Sequence, residues 1–287
     1  MPQMQHQVSA RIAFVGGGNM ARALIGGLLR QGVPAERIAV GEPDADAAGR
    51  LRREFSVSVD TDNLRTVRGA QLVVLAVKPQ QAAAALHPLQ KSLAADQPLL
   101  LSIAAGLRIQ DLAGACPPGI AIVRAMPNRP ALVGAGVTGL FAGPDVSATQ
   151  RQLAELIGKA SGRSVWLRAE NELDVVTALS GSGPAYFFLL AEEMARAAER
   201  LGLERDTAMS LAAGTLYGAG LLANEEHTSL AEQRSAVTSR GGTTEAALRV
   251  FDQGGLSRLV GDAVQAAAAR SVELAGALSV QAGAERA

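Results

Sequence analysis

A chain of 287 residues, 48% hydrophobic and 19% charged, is long enough to bury a substantial core and to divide into two domains. Its 27 basic and 27 acidic side chains cancel, which leaves no electrostatic footprint for nucleic acid or for an anionic membrane surface. A single cysteine, Cys116, excludes an internal disulfide, and three histidines in all make a poor supply of transition-metal ligands, so a reducing cytoplasm and no metal site are expected.

The first ten residues, MPQMQHQVSA, lack a basic start and an apolar run, which predicts a flexible, frayed tail over 1–10 and no secretion signal. From there short β-rich runs alternate with helical stretches: RIAFV (11–15), RIAV (37–40), SVSV (56–59), QLVVLAV (71–77), PLLLSIA (98–104), IAIVRAM (120–126), GVTGLF (136–141) and SVWL (164–167). Such alternation predicts βαβ units in a mostly parallel, doubly wound sheet, an α/β Rossmann domain over 11–169.

Directly after the first run, Gly16-x-Gly18-x-x-Ala21 opens a helix that reaches to about Gln31. Gly16 suits a tight turn, Gly18 a close backbone approach to a pyrophosphate, and Ala21 close helix–sheet packing, with Asn19 and Met20 between them. The free N–H groups of that helix start then face the phosphates. Two further strand ends line the same crevice: Ala76, Val77, Lys78 and Pro79 after the fourth run, and Ala104, Ala105 and Gly106 after the fifth. Small residues there admit a flat nicotinamide ring. Lys78 reads either as a ribose or phosphate contact or as a solvated lysine before a proline turn. Asn63 reads either as a cofactor contact or as a helix N-cap.

After residue 170 the strand signals stop, and an all-α domain is expected over 170–287. Pro184 lies near one helix start, Gly202 lies just past its end, and alanine-rich helices follow at 206–223 and 256–277. The longest apolar run, PAYFFLLA from Pro184, meets Glu192 and Glu193 too soon to cross a bilayer, so no membrane segment is expected. Helices this rich in Ala and Gly complete their core against a second copy.

This half holds no lysine, and its one histidine is His227, so no positioned base stands out for a hydroxy-acid dehydrogenase. It offers instead two hydroxyl- and glycine-rich loops, LSGSGPAY (179–186) and VTSRGGTTEAAL (237–248), each opening a helix, the second resuming at Glu245. Helix N–H groups with Ser and Thr hydroxyls bind a carboxylate without any lysine. Capping by Ser182 and Thr243 is the plainer reading, yet a cap needs one hydroxyl and VTSRGGTT carries four.

Taken in order, GGGNMA, SIAAG, RAMPN (124–128), LSGSGPAYFFLLAEEM and VTSRGGTTEAAL resemble pyrroline-5-carboxylate reductase over nearly all of residues 11–275. Two departures stand out: Arg240 where the signature usually has proline, and Arg129-Pro130 where RAMPN is usually followed by Thr-Pro. The resemblance implies reduction of 1-pyrroline-5-carboxylate to L-proline by hydride from NADPH or NADH, which fits the missing base, since an imine needs only to be held protonated, or hydrogen-bonded at nitrogen, while hydride adds to its carbon. It further implies that Thr244 contacts that nitrogen as the catalytic residue, that Ser239, Gly242 and Thr243 hold the substrate carboxylate, and that Glu170 lies at a substrate-linked position, the other reading of Glu170 being an exposed acid at a domain boundary. A homodimer through the helical domain, assembling further into a decamer, is implied as well. The rival readings are a related dehydrogenase of β-hydroxy acids or other imines, and a catalytically silent NAD(P)-binding regulator.

Cofactor choice turns on Glu42, 24 residues beyond Gly18, where an acid normally bonds the ribose 2′-OH and repels a 2′-phosphate. The resembled family tends to favour NADPH, and Arg50, Arg52 and Arg53 follow closely enough to compensate. Use of both cofactors, with a weakened NADPH preference, is expected.

Overall fold

The computed structural model describes residues 10–224 and 228–284, with side chains as far as Ser279. All eight apolar runs form strands: β1 (Ile12–Val15), β2 (Ile38–Gly41), β3 (Ser58–Asp60), β4 (Leu72–Leu75), β5 (Leu99–Ser102), β6 (Ile122–Met126), β7 (Gly136–Ala142) and β8 (Gly162–Trp166). They make one sheet in the order β3-β2-β1-β4-β5-β6-β7-β8. Every pairing is parallel except β6 with β7. The fold is therefore the expected mostly parallel Rossmann sheet, followed by helices.

The strands read as unbroken apolar runs because both faces of the sheet are covered. Ile12 and Phe14 of β1, with Leu72 and Val74 of β4, join one buried cluster. Their neighbours Ala13, Val15, Val73 and Leu75 point the other way into a second. The covering helices are α1 (Asn19–Arg30), α2 (Ala45–Phe55), α3 (Asn63–Val67), α4 (Ala82–Leu86), α5 (Gln90–Asp96), α6 (Ile109–Gly114) and α7 (Ala148–Ala160), and α8 (Glu172–Val176) follows β8.

By compactness the described residues up to Gly181, together with those from Ala267 on, form one unit, and Ser182–Ala266 forms a second. The second contains α9 (Gly183–Arg200), α10 (Arg205–Ala223), α11 (Leu230–Ala236), α12 (Thr243–Gln253) and the beginning of α13 (Leu256–Ala284). Gly202 ends α9 with a φ of +102°, as its place after the helix suggested. Where α9 meets α10, the buried hydrophobic residues are only Ala195, Ala208 and Ala212. Meanwhile Phe187, Phe188, Tyr217, Val250 and Leu259 are each more than half exposed. A core of three alanines cannot offset the ordering of five helices, and apolar exposure of this extent marks an association surface.

Two sequence expectations change here. LSGSGPAY is not a loop: Thr177–Gly181 is a π turn that continues α8 directly into α9. In addition, the stretch Glu172–Arg200 is by length and composition apolar enough to cross a membrane, despite Glu192 and Glu193. Counting from Pro184 missed the part contributed by α8 and the π turn.

Gly27 fixes the closest approach of α1 to α7: a Cβ there would lie 1.8 Å from the carbonyl oxygen of Ala160. Backbone cannot yield as a flexible side chain does. Gly27→Ala is expected to cost about 1–3 kcal/mol in urea unfolding, the usual penalty of overpacking. An unchanged midpoint would show that the two helices do not pack this tightly.

Candidate active site

The strand order reverses between β1 and β4, and the C-terminal ends of these and the neighbouring strands border a crevice there. Gly16 leaves β1 with a φ of +100°, which other residues rarely adopt. Its N–H donates to the Gly41 carbonyl at 2.9 Å. A Cβ on Gly16 would stand 2.9 Å from the Ala76 oxygen and 3.0 Å from Val77 Cγ1, so glycine alone lets the two turns close together. Gly18 is the N-cap of α1, with no side chain capping it and no acid in the first turn. Nothing lies within 4 Å of a Cβ built on Gly18, so the way to the N–H groups of Asn19, Met20 and Ala21 is open. An uncapped helix start with no acid in its own first turn, behind a bare glycine, suits a pyrophosphate.

At the end of β2 the half-buried Glu42 carboxylate accepts from Gly17 N–H through Oε2 and from Asp44 N–H through Oε1, both at 3.0 Å. It therefore faces the glycine turn and not bulk solvent. Asn63 is the first residue of α3 and not its cap, because Asp62 takes that role by accepting from Leu64 N–H. The Asn63 side chain packs on Gly41, where a Cβ would sit 1.9 Å from Oδ1. That Oδ1 is buried with no hydrogen-bond partner among the described residues, an acceptor awaiting an outside donor such as a sugar hydroxyl. Ala76, Val77 and Pro79 are half-buried and Lys78 is exposed at the β4 end; after β5, Ala104 is buried, Ala105 exposed and Gly106 half-buried. These placements fit a dinucleotide along the crevice.

The loop after β5 is held by buried charge. Arg124, in β6 and 5% exposed, pairs with Glu170 at 2.8 Å. Burial pushes the Arg124 guanidinium down from its ordinary value, and the hydrogen bond and charge of Glu170 oppose that shift. The same Glu170 oxygen accepts from Ile109 N–H at 2.7 Å, at the start of α6. Beside it Arg108 pairs with Asp174 at 2.7 Å, and Asp174 accepts from the Ser271 hydroxyl at 2.8 Å. Gly106 lies against α13, where a Cβ would meet Leu278 Cδ1 at 3.0 Å. Glu170 is thus no exposed boundary acid; its carboxylate is committed to Arg124 and to a helix start.

Asn128 of RAMPN is also a brace, accepting from Val137 N–H at 2.9 Å and donating to the Ser180 carbonyl of the π turn at 3.0 Å. Ser180 and Thr177 spend their hydroxyls on helix carbonyls, and Ser182 makes no capping bond.

In the second unit the polar loop behaves differently. Thr238 donates to the Arg234 carbonyl at 2.6 Å and closes α11. Helix α12 starts at Thr243, two residues before the expected Glu245, and its N-cap is Gly242 with no side-chain bond, so Thr243 is not the cap. Glu245 reaches back to Gly241 N–H at 2.7 Å. The hydroxyls of Ser239, Thr243 and Thr244 have no partner among the described residues, and they stand at a helix start whose N–H groups are uncapped. His227 lies outside the described residues.

Residues 170–274 match the family model described as pyrroline-5-carboxylate reductase dimerisation, and residues 11–106 match one described as NADP oxidoreductase, coenzyme F420-dependent. The chain is 46% identical to the pyrroline-5-carboxylate reductase of Pseudomonas aeruginosa, over 92% of this chain and 97% of that protein. The chain belongs to the pyrroline-5-carboxylate reductase family. A solved reductase of this family from Coxiella burnetii superposes with a TM-score of 0.90 at 40% identity, covering 93% of this chain and 98% of that one. A Plasmodium falciparum pyrroline carboxylate reductase solved with NADP bound gives 0.78 at 26% identity, covering 93% and 98%.

Within this family fold, Arg108, Arg124, Asn128 and Asp174 are supports that sequence reading passed over. One signal was available: an arginine inside the apolar strand IAIVRAM demands a buried acid. Cys116, buried with its thiol pushed up to about 12, stays protonated and offers neither a ligand nor a nucleophile.

Glu170→Ala leaves Arg124 buried without its counter-charge. A loss of about 3–5 kcal/mol is expected in urea unfolding. Replacing both partners by apolar residues of similar volume is expected to cost far less, and equal losses in the single and double variants would deny the pair its role.

Proposed function

We propose that this protein reduces 1-pyrroline-5-carboxylate to L-proline with a hydride from NADPH or NADH, the last step of proline formation. The observation that carries this reading is the start of α12: three uncommitted hydroxyls and an uncapped helix end, in a half of the chain that has no lysine. Ser239, Thr243 and the backbone at Gly242 hold the substrate carboxylate. The Thr244 hydroxyl bonds the ring nitrogen. With the imine bound in its protonated form, hydride adds to the imine carbon, the C=N π pair moves to nitrogen, and nitrogen keeps the proton it already carries, so no separate acid is required. NAD(P)H would supply the hydride; Gly16, Gly18 and the first turn of α1 would hold its pyrophosphate, and Glu42 and Asn63 would meet its adenosine ribose. Ala76 to Pro79 and Ala104 to Gly106 border the crevice, and the buried pairs of Arg124 and Arg108 keep the latter loop in place. Glu170 serves the substrate through that support.

Functionally the chain divides into a cofactor domain over 11–169 and a substrate and dimerisation domain over 170–287. A homodimer through the helical domain covers the exposed side chains of α9 and α10, which makes a second copy, and not lipid, the neighbour of Glu172–Arg200. Glu192 and Glu193, both paired with Arg196 on that helix, favour an aqueous setting. Further assembly into a decamer and a cytoplasmic location complete the reading.

Thr244→Ala is expected to lower kcat/KM for pyrroline-5-carboxylate by about 10- to 1,000-fold, the loss of a hydrogen bond made in the transition state, with dinucleotide affinity unchanged. Near-normal turnover would remove Thr244 from the chemistry. In sedimentation at micromolar concentration no active monomer is expected; a monomer that still turns over would overturn the dimer.

A further inference from the structure

We infer that Glu42 makes the adenosine end of the crevice select NADH over NADPH, an inference that rests on the cofactor site proposed above. Glu42 follows β2 directly, and its carboxylate is fixed by two backbone donors, Gly17 N–H and Asp44 N–H, at 3.0 Å each. Each oxygen keeps a further lone pair, so the group remains a two-fold acceptor. A ribose with free 2′- and 3′-hydroxyls brings the donors it lacks. A 2′-phosphate monoester brings only acceptors and about −1.5 to −2 of charge at neutral pH.

The charge around this corner is on the same side. Asp44 caps α2 by accepting from Ala47 N–H at 2.7 Å, and Asp46 is in the first turn, so that helix start is already supplied with negative charge. Asp60 lies behind Glu42, whose N–H donates to the Asp60 carbonyl at 2.9 Å, and Asp62 follows. The one arginine among these acids, Arg65, is shared between Asp60 at 3.9 Å and Asp62 at 3.7 Å. The arginines that looked able to compensate do not gather here. Arg52 donates to the Val59 carbonyl at 2.6 Å, and Arg52 and Arg53 both belong to the last turn of α2. Arg50 lies about 9 Å along the helix from Asp44. A 2′-phosphate entering beside Glu42 therefore meets carboxylates held by backbone donors, and the cation beside them, Arg65, is already shared between two acids.

The test is calorimetric titration of NADH and NADPH into the intact protein and into Glu42→Gln and Glu42→Ser, with thermal unfolding as the check that each variant is folded. The wild type is expected to bind NADH at least about 10-fold more tightly, and both substitutions to move the ratio toward NADPH by about 10- to 100-fold. Wild-type binding of NADPH as tight as that of NADH, or a ratio that neither folded variant moves, overturns the role of Glu42 while leaving the reductase reading intact. Failure of both dinucleotides to bind the wild type overturns the cofactor site itself, and this inference with it.

Discussion

An arginine buried in the middle of a sheet has to be neutralised, and that requirement organises the cofactor-bearing half of this protein. Arg124 sits in β6 with Glu170 as its counter-charge, and Glu170 in turn holds the first N–H of α6. Once Glu170 is there, the chain between β5 and α6 has one position, and the neighbouring Arg108–Asp174 pair closes its other side. Buried pairs of this kind add little net stability, since desolvation nearly matches attraction, but breaking one is expensive. Their value lies in geometry: a wall of the crevice is fixed by interactions that tolerate almost no displacement.

The glycines on the opposite wall work by a different rule. Gly16 and Gly41 are small because another group occupies the space a Cβ would take, the Ala76 carbonyl in one case and the Asn63 amide in the other. Attraction sets one wall and exclusion the other. The first tolerates no loss of a partner, the second no gain of an atom.

This contrast accounts for what could be read from the sequence. Exclusion leaves a local mark, a glycine at a strand end, so Gly16 was legible; the eight apolar runs, and with them the order of sheet and helices, were legible because burial on both faces of the sheet is written into each run. Long-range pairing leaves none: Arg124 and Glu170 are 46 residues apart, and Arg108 and Asp174 are 66. Hydroxyl groups were ambiguous for a related reason. Ser180, Thr177 and Thr238 bond their own helix carbonyls, whereas Ser239, Thr243 and Thr244 do not, and nothing in the letters S and T separates the two fates. The π turn escaped because its residues look like a helix start. Asp62 displaced Asn63 as the cap of α3 because either residue type fills that role.

The far end of α13 is fastened to the same wall: Leu278 touches Gly106, and the Ser279 hydroxyl donates to Asp111 at 2.8 Å. The start of β1 and the end of α13 are therefore unequal as places for engineering. Trimming the chain ahead of Leu278, or fusing a bulky partner just behind Ser279, disturbs the loop beside the proposed nicotinamide site. The start of β1, by contrast, is separated from that loop by the whole first strand and glycine turn, so an attachment ahead of it leaves the fastening of the loop untouched.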